Sequence, residues 1–169
     1  MLKKNIKEFK YNVFTELNER WPILTCGDRE NGFNSMVVSW GGLGVLWGKN
    51  VAYVFVRHSR YTFDFIEKSP SVTLSFLNES YNDAKKVFGS ESGRDVNKFE
   101  KTGLHATLDL DFNGYYVCEA DYVLKMKKLY SVDLPYEQLP DSIKDRFYPN
   151  GDMHRMYVCE ITQYLENEE

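Results

Sequence analysis

The sequence predicts a mainly β protein, an antiparallel barrel with short helices, and three observations lead there. Several runs rich in β-branched and aromatic residues are separated by turn residues. The connections leave room only for short helices, which argues against a doubly wound parallel sheet. Closing antiparallel strands into a barrel also removes the exposed edges of an open sheet.

In chain order, residues 1–12 are basic and loosely patterned and are expected to form a mobile lead-in. Residues 22–26 read as the first strand, stopped by turn residues at 27–32. Residues 35–40 and 45–47 are strand-like pieces around Gly41-Gly42-Leu43-Gly44, and residues 51–56 and 72–77 are strands dense in valine and aromatics. A helix over residues 61–68 stops ahead of Ser69-Pro70, because proline disfavours helical backbone at the residue before it. A second helix over 81–88 would be capped by Ser80 and stopped by Gly89. Asp95 would cap a third, ending at Gly103. Residues 115–130 give the strongest strand signal: Tyr116, Cys118, Ala120, Tyr122, Leu124 and Met126 alternate with mostly polar neighbours. Residues 156–165 form the last strand, and 166–169 an acidic, solvated tail. A chain of 169 residues suits a single domain.

Composition narrows the function. A net charge of -4 without a basic run argues against nucleic-acid binding. No apolar run approaches the roughly 20 residues of a membrane-spanning helix. Metal-ligand spacings, a Walker loop and a Gly-x-Ser-x-Gly elbow are all missing from the sequence, so metal, triphosphatase and covalent hydrolase chemistry lack support. Cys26, Cys118 and Cys159 are odd in number and no signal peptide is apparent, so buried free thiols in a reducing, cytoplasmic compartment are expected. Aromatics, at 15%, can line a cavity as well as fill a core.

Three segments carry candidate chemistry. In Arg57-His58-Ser59-Arg60-Tyr61-Thr62, cations crowd a helix start, where the macrodipole disfavours them unless an anion is held against free N–H groups. Arg57 and Arg60 offer fork-shaped donors and Ser59 and Thr62 offer hydroxyls. A merely solvated turn is the competing reading, of about equal weight. The second segment runs Asn34-Ser35-Met36-Val37-Val38-Ser39-Trp40-Gly41-Gly42-Leu43-Gly44-Val45-Leu46-Trp47-Gly48. Glycines in a strand mark a bulge or a ligand against the backbone, and a flat heteroaromatic ring needs such apolar walls; an ordinary barrel corner is the alternative. The third, Gly89-Ser90-Glu91-Ser92-Gly93-Arg94-Asp95-Val96-Asn97-Lys98, is a Gly/Ser loop entering a helix with a cation near its start, or simply a cap with Arg94 and Asp95 paired. His154 favours neither a site nor a surface role, and His58 and His105 have no obvious carboxylate partner in sequence.

Together with Gly103-Leu104, Lys128-Leu129-Tyr130 and Asp152-Met153-His154-Arg155, these segments resemble the flavin reductase-like, flavoredoxin-type family over residues 21–161. The resemblance implies an FMN-binding split β-barrel, usually a homodimer with flavin near the subunit interface. It implies that Asn34, Ser35, Met36, Val37, Ser39 and Trp40 follow the flavin ring and ribityl chain. Arg57, Ser59, Arg60, Tyr61 and Thr62 would then hold the phosphate, with Ser90, Ser92, Gly93 and Arg94 on a cofactor-side loop. The implied activity is an oxidoreductase taking hydride from NADH or NADPH, with no side-chain acid or base required. A flavoredoxin-like carrier serving a redox partner protein, or a non-catalytic flavin-binding module, is the alternative. Two positions depart from the family pattern: His58 stands where proline is expected, and Met126 where relatives often carry cysteine.

Overall fold

The computed structural model describes residues 1–167, which hold ten strands and five α-helices. The strands are β1 (Leu2–Lys4), β2 (Ile23–Asp28), β3 (Gly32–Val37), β4 (Gly41–Leu46), β5 (Lys49–Arg57), β6 (Ser71–Phe76), β7 (Ala106–Asp109), β8 (Gly114–Val117), β9 (Tyr122–Asp133) and β10 (His154–Glu166). The helices are α1 (Val13–Asn18), α2 (Tyr61–Lys68), α3 (Asn82–Ser90), α4 (Lys98–Thr102) and α5 (Asp141–Phe147). One antiparallel sheet runs β3-β2-β6-β9-β10-β5-β4, with β1 added to β10. Laid flat, its seven-strand path would part β3 from β4 by about 29 Å. Yet only Val38, Ser39 and Trp40 join those two edges, a link that reaches at most about 14 Å. The sheet therefore curls until its edges nearly meet, giving a split barrel.

Strand β6 is buried on both faces, because its pattern alternates apolar residues with hydroxyls. Val72, Leu74 and Phe76 enter the barrel core with Leu24, Val54, Leu124 and Tyr157. Ser71, Thr73 and Ser75 meet the β7–β8 hairpin: Thr73 donates to the Tyr115 carbonyl at 2.8 Å, and Ser75 accepts the Val117 N–H at 3.1 Å. These bonds satisfy hydroxyls that would otherwise be costly to bury. The β2–β3 turn depends on Gly27, whose φ of +133° only glycine adopts comfortably; a Cβ there would lie 2.1 Å from the Gly32 carbonyl oxygen.

Several expectations are corrected. Residues 1–12 are seated rather than loose: β1 pairs with β10, Tyr11 stacks on Tyr122 at 4.2 Å, and Phe9 meets Tyr164 edge-on. Glu166 is buried at the end of β10, bonded to Lys4 (2.6 Å) and Tyr11 (2.5 Å), so the solvated tail does not begin there. Its carboxyl is held down to about 2, chiefly by the Lys4 and Tyr11 hydrogen bonds. Glu168 and Glu169 lie outside the described residues. The 115–130 run is two strands, broken at residues 118–121, where the Asp121 N–H turns to the Phe76 carbonyl at 2.8 Å. The alternating pattern survives that break, which is why the sequence does not betray it.

Cys118, in the break, is exposed beside Thr107, whereas Cys26 and Cys159 are buried as expected. Helix α3 starts at Asn82 after a 3₁₀ turn capped by Asn78, not Ser80, and continues through Gly89. Asn97 rather than Asp95 caps α4, and Gly103 follows it with a left-handed φ of +71°.

Candidate functional site

Two adjoining cavities lie where β3, the start of α2 and the loop before α4 meet. The first, about 200 Å³, is lined by Asn34, Arg60, Thr62, Gly93, Arg94 and Lys98 among others. The second, about 220 Å³, shares Met36 and Arg60 with it and continues past Val37, Ser39, Trp40, Phe55 and His154. The first is cationic, and the second combines apolar and aromatic side chains with Arg57, Arg60 and His154.

Arg60 is the N-cap residue of α2, and no side chain caps that helix. Its guanidinium has no hydrogen bond or ion pair among the described residues, although it faces both cavities. Lys98, at the first position of α4, is only 5% exposed. Its ammonium donates to the Phe88 carbonyl at 3.4 Å, and burial, with Arg60 nearby, pushes it down to about 8. Two cations thus face one cavity with little to neutralise them. Thr62 is buried and accepts a 2.8 Å hydrogen bond from the Asn34 amide, which leaves its own proton free to donate.

The loop before α4 is seated on Asn34 through Gly93. A Cβ at Gly93 would stand 2.2 Å from Asn34 Oδ1 and 3.2 Å from the Tyr61 ring. Gly93→Ala is therefore expected to displace Asn34 from Thr62 and to cost about 1–3 kcal/mol in urea denaturation. A variant as stable as the parent would mean that the loop does not rest on Asn34. Arg94 crosses the Tyr61 ring at 4.7 Å and donates to the Ser59 carbonyl and to Asp64, each at 3.2 Å, rather than pairing with Asp95.

Other expected site residues serve different ends. Arg57 gives its donors to the Asp152 and Phe147 carbonyls at 2.6 and 2.9 Å, and lies over Tyr148. Ser59 donates to Asp152 at 2.6 Å. Both anchor the segment before β10, although each still lines a cavity wall. The Ser35 hydroxyl is buried against Thr25 at 2.8 Å, and Ser90 bonds back to the Lys86 carbonyl, away from both cavities. Ser92 stays in the lining and accepts the Arg94 N–H at 3.2 Å. His58 and His105 do have carboxylate partners, Asp133 and Glu119, each at 2.7 Å.

The profile of the flavin reductase-like domain matches residues 17–169. The chain belongs to the flavin reductase-like family. Solved structures of similar fold include the flavoredoxin of Desulfovibrio vulgaris (Miyazaki F), at 18% identity and a TM-score of 0.69, with 99% of this chain and 78% of that one covered. An FMN-binding protein from Thermus thermophilus with bound p-hydroxybenzaldehyde aligns at 19% identity and TM-score 0.67, covering 88% and 72%. The 2-nitrobenzoate 2-nitroreductase of Pseudomonas fluorescens aligns at 15% and 0.64, covering 97% and 73%. No curated protein matches the chain.

Two residues of this flavin reductase-like domain were in view in the sequence but were given no site role there. Lys98 carries the same signal as Arg60, a cation at a helix start, but the helix is only five residues long. His154 is brought into the second cavity by its pairing with Arg57 across β10 and β5. Its Nδ1 meets the Tyr148 hydroxyl at 2.8 Å and its ring lies 4.7 Å from Trp40. Burial, together with Arg57, lowers it to about 4, so the imidazole is neutral at pH 7. Among the described residues, no cluster of His, Cys, Asp and Glu could hold a metal, and no helix is long and apolar enough to cross a membrane.

Proposed function

We propose that the chain binds FMN and acts as a flavin reductase-type oxidoreductase, with NADH or NADPH as hydride donor. The observation carrying this reading is the pair Arg60 and Lys98, two poorly compensated cations in the middle of an aromatic-ended groove. A phosphate dianion between them would supply the missing counter-charge. The groove accepts FMN on its own chemistry: donors for a phosphate, a polar passage along Asn34 and Thr62, and an apolar end at Trp40 and Phe55. Family membership supports the same cofactor. The homodimeric state and cytoplasmic location belong to this proposal on family grounds alone.

When bound, FMN supplies hydride and electron transfer that no side chain can perform. The chain's residues bind, orient and shield. Arg60 and Lys98 would neutralise the phosphate, and the Thr62 hydroxyl would donate a hydrogen bond to it. Trp40 and Phe55 would wall the aromatic end of the groove. His154, neutral and tied to Tyr148, adds a polar edge there without adding charge. No residue needs to move a proton for hydride transfer.

The test is an anaerobic titration of FMN-loaded protein with NADH and then NADPH, followed by bleaching of flavin absorbance. Stoichiometric bleaching by either nucleotide is expected. Retained but unreduced flavin would point instead to the electron carrier, and failure to retain flavin would remove the binding reading altogether.

A further inference from the structure

Arg60 brings its charge to the first cavity with no partner to steer it, so the backbone that delivers the guanidinium sets its place. That backbone is the turn between β5 and α2. The Arg60 N–H donates to the Arg57 carbonyl at 3.1 Å and closes a four-residue β-turn with His58 and Ser59 at its centre. His58 fills the first central position, where proline is favoured because its ring presets φ. Histidine leaves φ free, so contacts must hold the turn instead.

Arg57 and Ser59 supply some of these, but both reach into residues 147–152, a largely exposed stretch. His58 reaches the sheet itself. Its Nε2 lies 2.7 Å from Asp133 Oδ1, at the end of β9. Asp133 is held down to about 2, chiefly by Arg155, so it is ionised and accepts, and Nε2 carries the proton. Arg155, the cross-strand partner of Asp133 on β10, grips that carboxylate with two donors at 2.8 and 2.9 Å. It goes on to Glu67 at 3.1 Å, and Glu67 accepts a 2.7 Å hydrogen bond from the buried Tyr157 hydroxyl. Phe63 of α2 stands edge-on to the His58 ring at 4.8 Å and under the Arg155 guanidinium at 5.4 Å. A doubly held carboxylate inside a charge network is the case in which an exposed pair has a measurable effect.

We infer that His58 is a positioning residue, whose bridge to Asp133 holds the β5–α2 turn in the form that delivers Arg60 to the first cavity. The inference rests on the FMN reading for its consequence, the phosphate contact, but its first test needs no flavin.

Amide hydrogen exchange at Arg60 in the ligand-free protein reads opening of the turn directly, because that N–H closes it. His58→Ala is expected to speed this exchange by about three- to fivefold. Two other replacements should restore the slow rate by different means. His58→Gln keeps a donor for Asp133. His58→Pro presets the turn, and Arg57, at the end of β5, already has the extended backbone that proline requires before it. The bond proline forfeits, from the His58 N–H to the Met153 carbonyl, is long at 3.4 Å. Unchanged exchange in His58→Ala, or equally fast exchange in all three variants, overturns the inference.

FMN titration by flavin fluorescence should follow the same order. Affinity is expected to fall by about three- to fivefold in His58→Ala and to stay within about twofold of the parent in His58→Gln and His58→Pro. Fast exchange in His58→Ala with undiminished FMN affinity overturns the link to Arg60. If the unaltered protein binds no FMN, the reading of the groove fails, and the exchange rates alone decide whether His58 orders the turn.

Discussion

Replacing Arg60 by alanine is expected to weaken FMN binding by ten- to a hundredfold. One charge-assisted phosphate contact is worth about 1.5–3 kcal/mol, and every 1.4 kcal/mol is about tenfold in affinity. The folded protein should hardly notice, because the guanidinium makes no hydrogen bond or ion pair among the described residues. Arg57→Ala is the contrasting case. Its donors hold the Phe147 and Asp152 carbonyls, so its loss should appear mainly in the melting temperature and less in flavin affinity. Fluorescence titration of both variants, alongside thermal melts, separates the two roles. Undiminished affinity in a folded Arg60→Ala protein would place the phosphate elsewhere.

Lys98→Met should move stability and affinity in opposite directions. In the ligand-free protein the buried ammonium is a liability: its proton is held at about 8, against an ordinary value of 10.5. Between those values the unfolded chain binds more protons than the folded one, so stability rises with pH through that window and is lowest below it. Removing the charge should therefore stabilise the free protein at pH 7 by about 2–3 kcal/mol. The same change deletes a phosphate partner and should weaken FMN by about tenfold or more. Urea denaturation at pH 7 and pH 10, with and without FMN, reads both effects. The parent should gain stability between those pH values and the variant should lose that gain. A variant less stable at pH 7 and unchanged in flavin affinity would make Lys98 an ordinary packing residue.

Much of the barrel was legible in residue patterns, because strand periodicity reports burial directly. The runs that became β2, β5, β6 and β10 are dense in β-branched and aromatic residues, and each forms a strand close to its expected bounds. Helix α2 matches its reading because proline fixes its end. What stayed hidden depends on contacts distant in sequence. Phe9 and Tyr11 look like part of a loose lead-in until Tyr122 and Tyr164 are placed beside them. The break at residues 118–121 keeps the period-two alternation on both sides, so no pattern marks it.

The site divides in the same way. Arg60 and Thr62 stand out in the sequence by charge and hydroxyl at a helix start, and the barrel brings them to one cavity with Asn34, Gly93 and Arg94. Arg57 carries the same local signal as Arg60. Only the three-dimensional path of residues 147–152 reveals that its donors are already committed. Lys98 closes the Gly/Ser segment but was given no role, because its meaning lies in burial.

The three-residue link between β3 and β4 bridges the seam of the barrel, where the two edge strands of the sheet path share no ladder. It also carries Ser39 and Trp40 into the wall of the second cavity. A molecule that bound against that wall only in the folded barrel would stabilise the joined edges by mass action.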